Sequence, residues 1–154
     1  MYNEQILEAD FELGFTYTRS TGPIIGKFFA ALKQQQLYGI KANDGMVIFP
    51  PLEYDPRNSD SLDDFARVQD VGSVEAWTWI AQPREQHGMD KPFAFALVKL
   101  DGADTSFVHR LLCNSEADIE AGLRVKVQWA EERVGAITDI AGFTPLLDSE
   151  QEAA

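Results

Sequence analysis

The chain has 154 residues, of which 45% are hydrophobic, and its 13 Lys and Arg against 25 Asp and Glu give a net charge of -12. Nucleic acid is bound through Lys and Arg that neutralise phosphates, so this charge argues against a DNA- or RNA-binding protein. The mean hydropathy of -0.22 and the lack of an apolar run long enough to cross a bilayer argue against a membrane protein. A single cysteine, Cys113, and acidic first residues unlike a signal peptide predict a cytoplasmic location.

Residues 1–36 are expected to form an N-terminal segment followed by one helix. Phe11 and Phe15 are too apolar for a free tail, which indicates that they pack on something, and we assign them to a partner interface. The pair Gly22-Pro23 is a helix-start signal, because Pro is tolerated where the first amides have no partner. An apolar face at helical spacing follows, formed by Ile25, Phe28, Phe29 and Leu32.

Thr18, Arg19 and Ser20 stand directly before this helix. Backbone amides at a helix N-terminus together with an arginine suit a phosphate group, which makes these three residues a candidate phosphate site. The alternative is that Ser20 and Thr21 help to cap the helix while Arg19 pairs with a surface carboxylate, and caps of this kind are common.

Residues 37–64 have the outline of a small zinc ribbon, in which two turns flank the knuckle Phe49-Pro50-Pro51. A working ribbon holds zinc with four ligands at tetrahedral corners, usually cysteines. Aligned on the Phe-Pro-Pro knuckle, this chain has other residues in the four ligand positions, namely Lys41, Asp44, Asp55 and Asn58. Protonated lysine is no ligand and the remaining oxygens make a poor zinc site. We therefore expect a degenerate, metal-free ribbon held by the packing of Val47, Phe49, Leu52 and Tyr54.

Residues 65–147 are expected to form a barrel, and residues 148–154 an acidic tail. Runs of β-forming residues, some alternating and some apolar throughout, predict strands over 75–80, 93–100, 105–112, 124–129 and 136–143. One helical turn, capped by Asn114 or Ser115 and ended by Gly122, falls between the third and fourth strands. Five strands with a short helix at that point predict a mainly β protein with a five-stranded OB-fold barrel.

Over about residues 16–146 the chain resembles the zinc-ribbon and OB-fold proteins of domain of unknown function thirty-five (DUF35). The resemblance rests on five pieces in order, which are the helix run 28–32, the Phe-Pro-Pro knuckle, and residues 91–102, 121–127 and 135–145. Proteins of this family accompany thiolase-like and MaoC-type enzymes that act on acyl-CoA esters. Residues 17–23 and the cysteine-free ribbon are most similar to the members that pair with steroid side-chain aldolases.

The resemblance implies a non-catalytic accessory subunit of a thiolase-like aldolase of the lipid-transfer-protein type. Such an aldolase is a carbon–carbon lyase that cleaves a β-hydroxyacyl-CoA, here in steroid side-chain degradation. The partner would be the catalytic subunit of a hetero-oligomer, so no catalytic residue, metal or cofactor is assigned to this chain. A coenzyme A ester is the candidate ligand, with its phosphate at Thr18, Arg19 and Ser20. Two alternatives stay open: an accessory subunit of a thiolase or acyltransferase, and a stand-alone acyl-CoA-binding or channelling module.

Trp77 and Trp79 share one face of the first predicted barrel strand, because side chains two residues apart in a strand point the same way. They pack under the helix or the 83–92 loop, or they form part of a partner interface, since Trp is enriched at hot spots. The resemblance adds the C-terminal residues Thr138, Asp139 and Phe143 to that interface. Asp139 interrupts an apolar run, so it is alternatively a hydrogen-bonded turn or bulge residue.

The two histidines, His87 and His109, have no carboxylate or second ligand at a recognisable spacing. Catalytic or metal-binding histidines need such a partner, so we expect structural roles for both. Cys113 has no cationic neighbour in sequence that would lower the pKa of its thiol, which predicts an inert core residue.

Overall fold

The structure is a computed structural model and describes residues 9–146. Within these residues lie one α-helix and eight strands: α1 (Gly22–Lys33), β1 (Leu37–Lys41), β2 (Val47–Ile48), β3 (Asp64–Val68), β4 (Val71–Ile80), β5 (Phe93–Leu100), β6 (Ser106–Leu111), β7 (Arg124–Trp129) and β8 (Ile140–Pro145). In this part of the chain no helix combines the length and apolarity of a membrane span. The predicted acidic tail at 148–154 lies outside the described residues.

Strands β4 to β8 form a closed barrel in the order β4-β5-β6-β8-β7. All neighbouring pairs are antiparallel except β6 and β8, which are parallel. A 3-10 turn, Glu116–Asp118, connects β6 to β7, and the side chain of Ser115 caps it by accepting a hydrogen bond from the amide of Ala117. The predicted mainly β fold with an OB-type barrel is confirmed.

The last barrel strand begins four residues later than the sequence indicates. The run 136–143 reads as one apolar strand, but Ile137–Asp139 forms a 3-10 turn and β8 starts at Ile140. The buried carboxylate of Asp139 accepts hydrogen bonds from the backbone amides of Val134 and Gly135, which turns the chain before the strand.

A separate three-stranded sheet, in the order β2-β1-β3, precedes the barrel. Phe65 lies in β3 of this sheet, and the first barrel strand begins at Val71. The division of the chain at residues 36, 64 and 147 stays a prediction.

One hydrophobic core joins the helix, the small sheet and the barrel. The rings of Phe28 and Phe49 lie 5.8 Å apart, and the ring of Phe49 lies 5.0 Å from that of Phe107 in β6. The buried face of the helix is rotated slightly from the predicted one and consists of Ile24, Phe28, Ala31 and Leu32. The ribbon remnant therefore sits on the barrel through a shared aromatic core.

Candidate functional site

Two of the four positions that the sequence comparison aligns with zinc-ribbon ligands, Asp44 and Asp55, bind the same arginine. Arg57 Nη1 lies 2.6 Å from Asp44 Oδ2, and Nη2 lies 2.7 Å from Asp55 Oδ2. Arg57 Nε also donates to Asp55 Oδ1 at 3.0 Å, which makes the contact with Asp55 bidentate. Asp55 is 2% exposed, whereas Asp44 and Arg57 reach solvent. A guanidinium thus connects the two turns that a metal connects in a zinc ribbon.

Asp44, Asp55 and Arg57, here called the arginine cluster, stabilise one another's charged forms. Hydrogen bonds from Arg57 and from the amide of Met46 lower the pKa of Asp44 to about 2. Hydrogen bonds from the side chain and amide of Arg57 also lower the pKa of Asp55, and both carboxylates raise the pKa of Arg57. All three groups are consequently charged at neutral pH.

The other two former ligand positions do not join the arginine cluster. Lys41 is an exposed residue at the end of β1. Asn58 Nδ2 donates to Asp60 Oδ2 at 2.9 Å, and the amide of Asp60 donates back to Asn58 Oδ1. Across residues 9–146 there is no group of three His, Cys, Asp or Glu that could hold a metal ion. The loss of zinc stays a prediction. Sequence reasoning missed Arg57, whose signal was its position two residues after Asp55.

Paired hydrogen bonds fix the ribbon remnant to the connection between β5 and β6. Val47 N donates to Asp104 Oδ2 and Asp104 N donates to Val47 O, both at 2.8 Å. Phe49 N donates to Thr105 Oγ1, which donates back to Phe49 O. Phe49 is buried as expected, but Leu52 and Tyr54 are exposed, so the expectation that they pack was wrong. Hydrogen bonds to the barrel hold the ribbon segment in place of part of the expected side-chain packing.

The apolar residues of the N-terminal segment are exposed. Residues 9–20 form neither helix nor strand. Phe11 is 84% exposed, Phe15 and Tyr17 are each 79% exposed, and Leu13 is 68% exposed. The two phenylalanines assigned to a partner interface therefore lie on the surface, where a partner can reach them.

The remaining predicted interface residues, apart from Thr138, are buried or half-buried. Trp77 and Trp79 stand opposite Ala96 and Ala94 of β5 and pack against the barrel core, half-buried. Of the two alternatives for this pair, the structure favours packing. Phe143 is fully buried, and its ring lies among core residues. Its assignment to a partner interface was therefore wrong.

Thr138 is exposed, but Asp139 next to it is 1% exposed. Burial alone would raise the pKa of Asp139, yet the hydrogen bonds from the amides of Val134, Gly135 and Ala136 lower it overall. Asp139 is therefore the turn residue of the alternative interpretation, and its carboxylate is not available to a partner.

Thr18, Arg19 and Ser20 are all exposed. Ser20 Oγ accepts a hydrogen bond from Gly22 N at 3.3 Å, which fits the capping alternative for Ser20, whereas the side chain of the N-cap residue Thr21 makes no capping hydrogen bond. The carboxylate of Glu53 lies close to Gly22, the first residue of the helix. An anion at this helix end would meet a negative charge, and the coenzyme A assignment stays a prediction.

A cleft of about 490 Å³ was not anticipated from the sequence. Its walls include Met89, Lys91, Leu112 and Cys113, which lie at one end of β6 and in the segment before β5. Burial, with a smaller effect of the nearby Asp118, raises the pKa of the Cys113 thiol. This agrees with an unreactive thiol.

His109 lies in the barrel wall between two aromatic rings. Its ring is 5.6 Å from that of Phe107 and 5.9 Å from that of Phe143. Its Nδ1 atom is buried and has no hydrogen-bond partner among the described residues, and burial lowers the pKa of the imidazole. These contacts fit a structural histidine.

Residues 66–130 match the family model of the ChsH2 C-terminal OB-fold domain. This part of the chain is therefore similar to a ChsH2-type OB-fold domain. The match begins inside β3 and ends just after β7, so helix α1, most of the small sheet and β8 lie outside it. None of the curated proteins matches the chain significantly.

Among the solved structures that are similar to this chain, two cover 70% or more of it. One is a protein of unknown function from the DUF35 family of Sulfolobus solfataricus, with 22% identity, a TM-score of 0.56, and coverage of 70% of this chain and 78% of that chain. The other is described as an Ltp2-ChsH2(DUF35) aldolase, with 23% identity, a TM-score of 0.60, and coverage of 79% and 93%. At these identities the likeness concerns the fold. Together with the ChsH2-type domain, it confirms the resemblance to the DUF35 OB-fold proteins.

Proposed function

We propose that this chain is the non-catalytic accessory subunit of a thiolase-like aldolase of the lipid-transfer-protein type. The substrate of the complex would be a β-hydroxyacyl-CoA with a steroid side chain. The observation that carries the proposal is the match of the barrel to the ChsH2 C-terminal domain. The similarity to a protein described as an Ltp2-ChsH2 aldolase, over 93% of that chain, supports the same partner.

The surface of the chain also supports a partner role. Four large apolar side chains between Phe11 and Tyr17 are exposed in close succession. Single exposed apolar residues are normal, but a contiguous group of this size marks an interaction site in most soluble proteins. In the proposed complex the partner supplies the catalytic residues, and this chain stabilises the partner and orders its active-site loops.

Co-expression of the tagged full chain with a thiolase-like aldolase subunit tests the proposal. We expect the two chains to co-purify in a fixed ratio, and we expect the complex to cleave a β-hydroxyacyl-CoA faster than the catalytic subunit alone. A thiolase subunit, treated in the same way, is the matched control.

Three outcomes would overturn the proposal. Binding of the thiolase but not of the aldolase subunit would make the chain a thiolase or acyltransferase accessory protein. Tight binding of an acyl-CoA by the isolated chain, without any partner, would make it a stand-alone binding module. A chain that binds neither subunit and leaves the cleavage rate unchanged would remove the accessory role altogether.

A further inference from the structure

We propose that residues 11–17 bind the catalytic subunit as an added β-strand, an inference that rests on the proposed accessory role. The segment would pair with an open sheet edge of the partner and place its apolar side chains on one face. Four features of the segment support this: its alternating sequence, its unpaired backbone, its apolar surface area and its acidic charge.

The sequence of this segment alternates strictly. The apolar residues Phe11, Leu13, Phe15 and Tyr17 occupy every second position, and Glu12, Gly14 and Thr16 lie between them. In an extended chain successive side chains point to opposite faces, so all four apolar side chains share one face. At about 3.3 Å per residue this face is about 20 Å long, the length of an ordinary strand.

The backbone of the segment is unpaired as well. Residues 9–20 have no assigned secondary structure, and within the described part of the chain no backbone hydrogen bond joins residues 11–17 to another element. In a helix Phe11 and Phe15 would lie on one side while Leu13 and Tyr17 would lie on the opposite side, so a helix would not give one apolar face. A period of two with unpaired amides and carbonyls fits strand addition, in which main-chain hydrogen bonds give affinity and alternate side chains give specificity.

The apolar area is sufficient for a stable contact. An aromatic side chain buries about 150–250 Å², so three aromatics and a leucine bury about 600–800 Å². A partner in a standard interface contributes about 800 Å². This one segment therefore supplies most of the area that one side of a stable complex needs.

The acidic charge of the segment and of the whole chain indicates which kind of protein the segment binds. In the added strand Asp10 and Glu12 would lie on the face opposite the apolar residues, and the chain as a whole carries a net charge of -12. Pairing with a second copy of the chain would bring acidic strands together, which like-charge repulsion disfavours. The occupant is therefore a different protein, whose sheet edge is apolar on one side and carries Lys or Arg on the other.

The test uses the complex of the full chain with the thiolase-like aldolase subunit. Phe15→Asp places a charge on the apolar face and should weaken binding by about tenfold or more. Thr16→Asp, one residue away on the other face, is the matched control and should weaken binding by less than about threefold. Both residues are exposed, so neither change affects the folded core. In hydrogen exchange, amides within 11–17 should become protected in the complex in an alternating pattern.

The outcomes separate this inference from the proposed function. A complex that forms without protection of residues 11–17, or in which the two variants weaken binding equally, overturns the added strand and leaves the accessory role intact. Self-association of the chain that Phe15→Asp abolishes would make the occupant a second copy and overturn the inference. Failure of any complex to form overturns both proposals.

Discussion

Arg57 Nη1 lies 2.6 Å from Asp44 Oδ2, across the gap between the two turns of the ribbon remnant. The same guanidinium binds Asp55 in the second turn. The charge that links the turns is thus carried by a side chain of the protein itself, and the carboxylates around it stand where a zinc ribbon has ligands.

Replacing Arg57 should therefore destabilise the protein more than replacing another surface arginine. Arg57→Met leaves the buried carboxylate of Asp55 without its cation, and uncompensated buried charges are strongly unfavourable. We expect a lower midpoint of urea denaturation than for Arg67→Met, which changes an exposed arginine of β3. Adding Asp55→Asn to Arg57→Met should restore part of the loss, because it removes the unpaired charge. Equal midpoints for the two single variants would contradict this account.

The second prediction concerns zinc. Lys41, Asp44, Asp55 and Asn58 make a poor tetrahedral site, so the purified protein should contain far less than one zinc per chain by elemental analysis. A chelator should leave its denaturation midpoint unchanged, because a structural zinc site would lose its folding contribution on chelation. Stoichiometric zinc that survives the chelator would require ligands other than these four residues.

The third prediction is a pH dependence caused by His109. Burial lowers the pKa of this histidine, so below about pH 6.5 the unfolded chain binds more protons than the folded protein. The contribution of His109 to the free energy of unfolding is fully present above that pH. It is lost as the pH falls toward the pKa that this histidine has in the folded protein. Denaturation midpoints should fall between pH 7 and pH 5 in the natural protein.

The variant His109→Phe should flatten this slope, since phenylalanine fills the same aromatic site without titrating. A slope that is the same in the natural protein and in His109→Phe would assign the pH dependence to other groups.

The fourth prediction separates packing from binding at Trp79. This residue packs against the barrel core opposite Ala94, so Trp79→Ala should lower the free energy of unfolding by about 2 kcal/mol. Val108→Ala, which changes an exposed residue of β6, should cost less than about 0.5 kcal/mol. Urea denaturation of the isolated chain measures both. A stable Trp79→Ala protein that no longer binds the catalytic subunit would restore Trp79 to the interface.

The barrel was predictable from the sequence because its strands are marked locally. Residues 93–100 and 124–129 carry β-forming patterns that do not depend on distant parts of the chain. The direction of the tryptophan pair was not predictable, because alternation tells which residues share a face but not which face the barrel encloses. The start of the last strand was not predictable either, because the hydrogen bonds that make Asp139 a turn residue form only when the turn is folded.

The candidate site was harder to predict because it depends on tertiary proximity. Asp44 and Arg57 are 13 positions apart and meet only once both turns have formed. Apolarity alone predicted that Phe11 and Phe15 pack on something, and because both are exposed in this chain, their contact with a partner stays a prediction. Which of the other apolar residues reach the surface depends on the complete barrel, and the burial of Phe143 illustrates this.

Strand β8 is the last strand within residues 9–146, yet it lies between β6 and β7. The amide of Leu112, just after β6, donates to Phe143 O, and Val127 of β7 stands opposite Phe143. On the ribosome, a nascent chain that has completed β7 must therefore wait for residues 140–145 before its barrel can close. At about 5–20 residues per second this wait lasts roughly one to three seconds. During that interval the core side chains along the seam stay exposed.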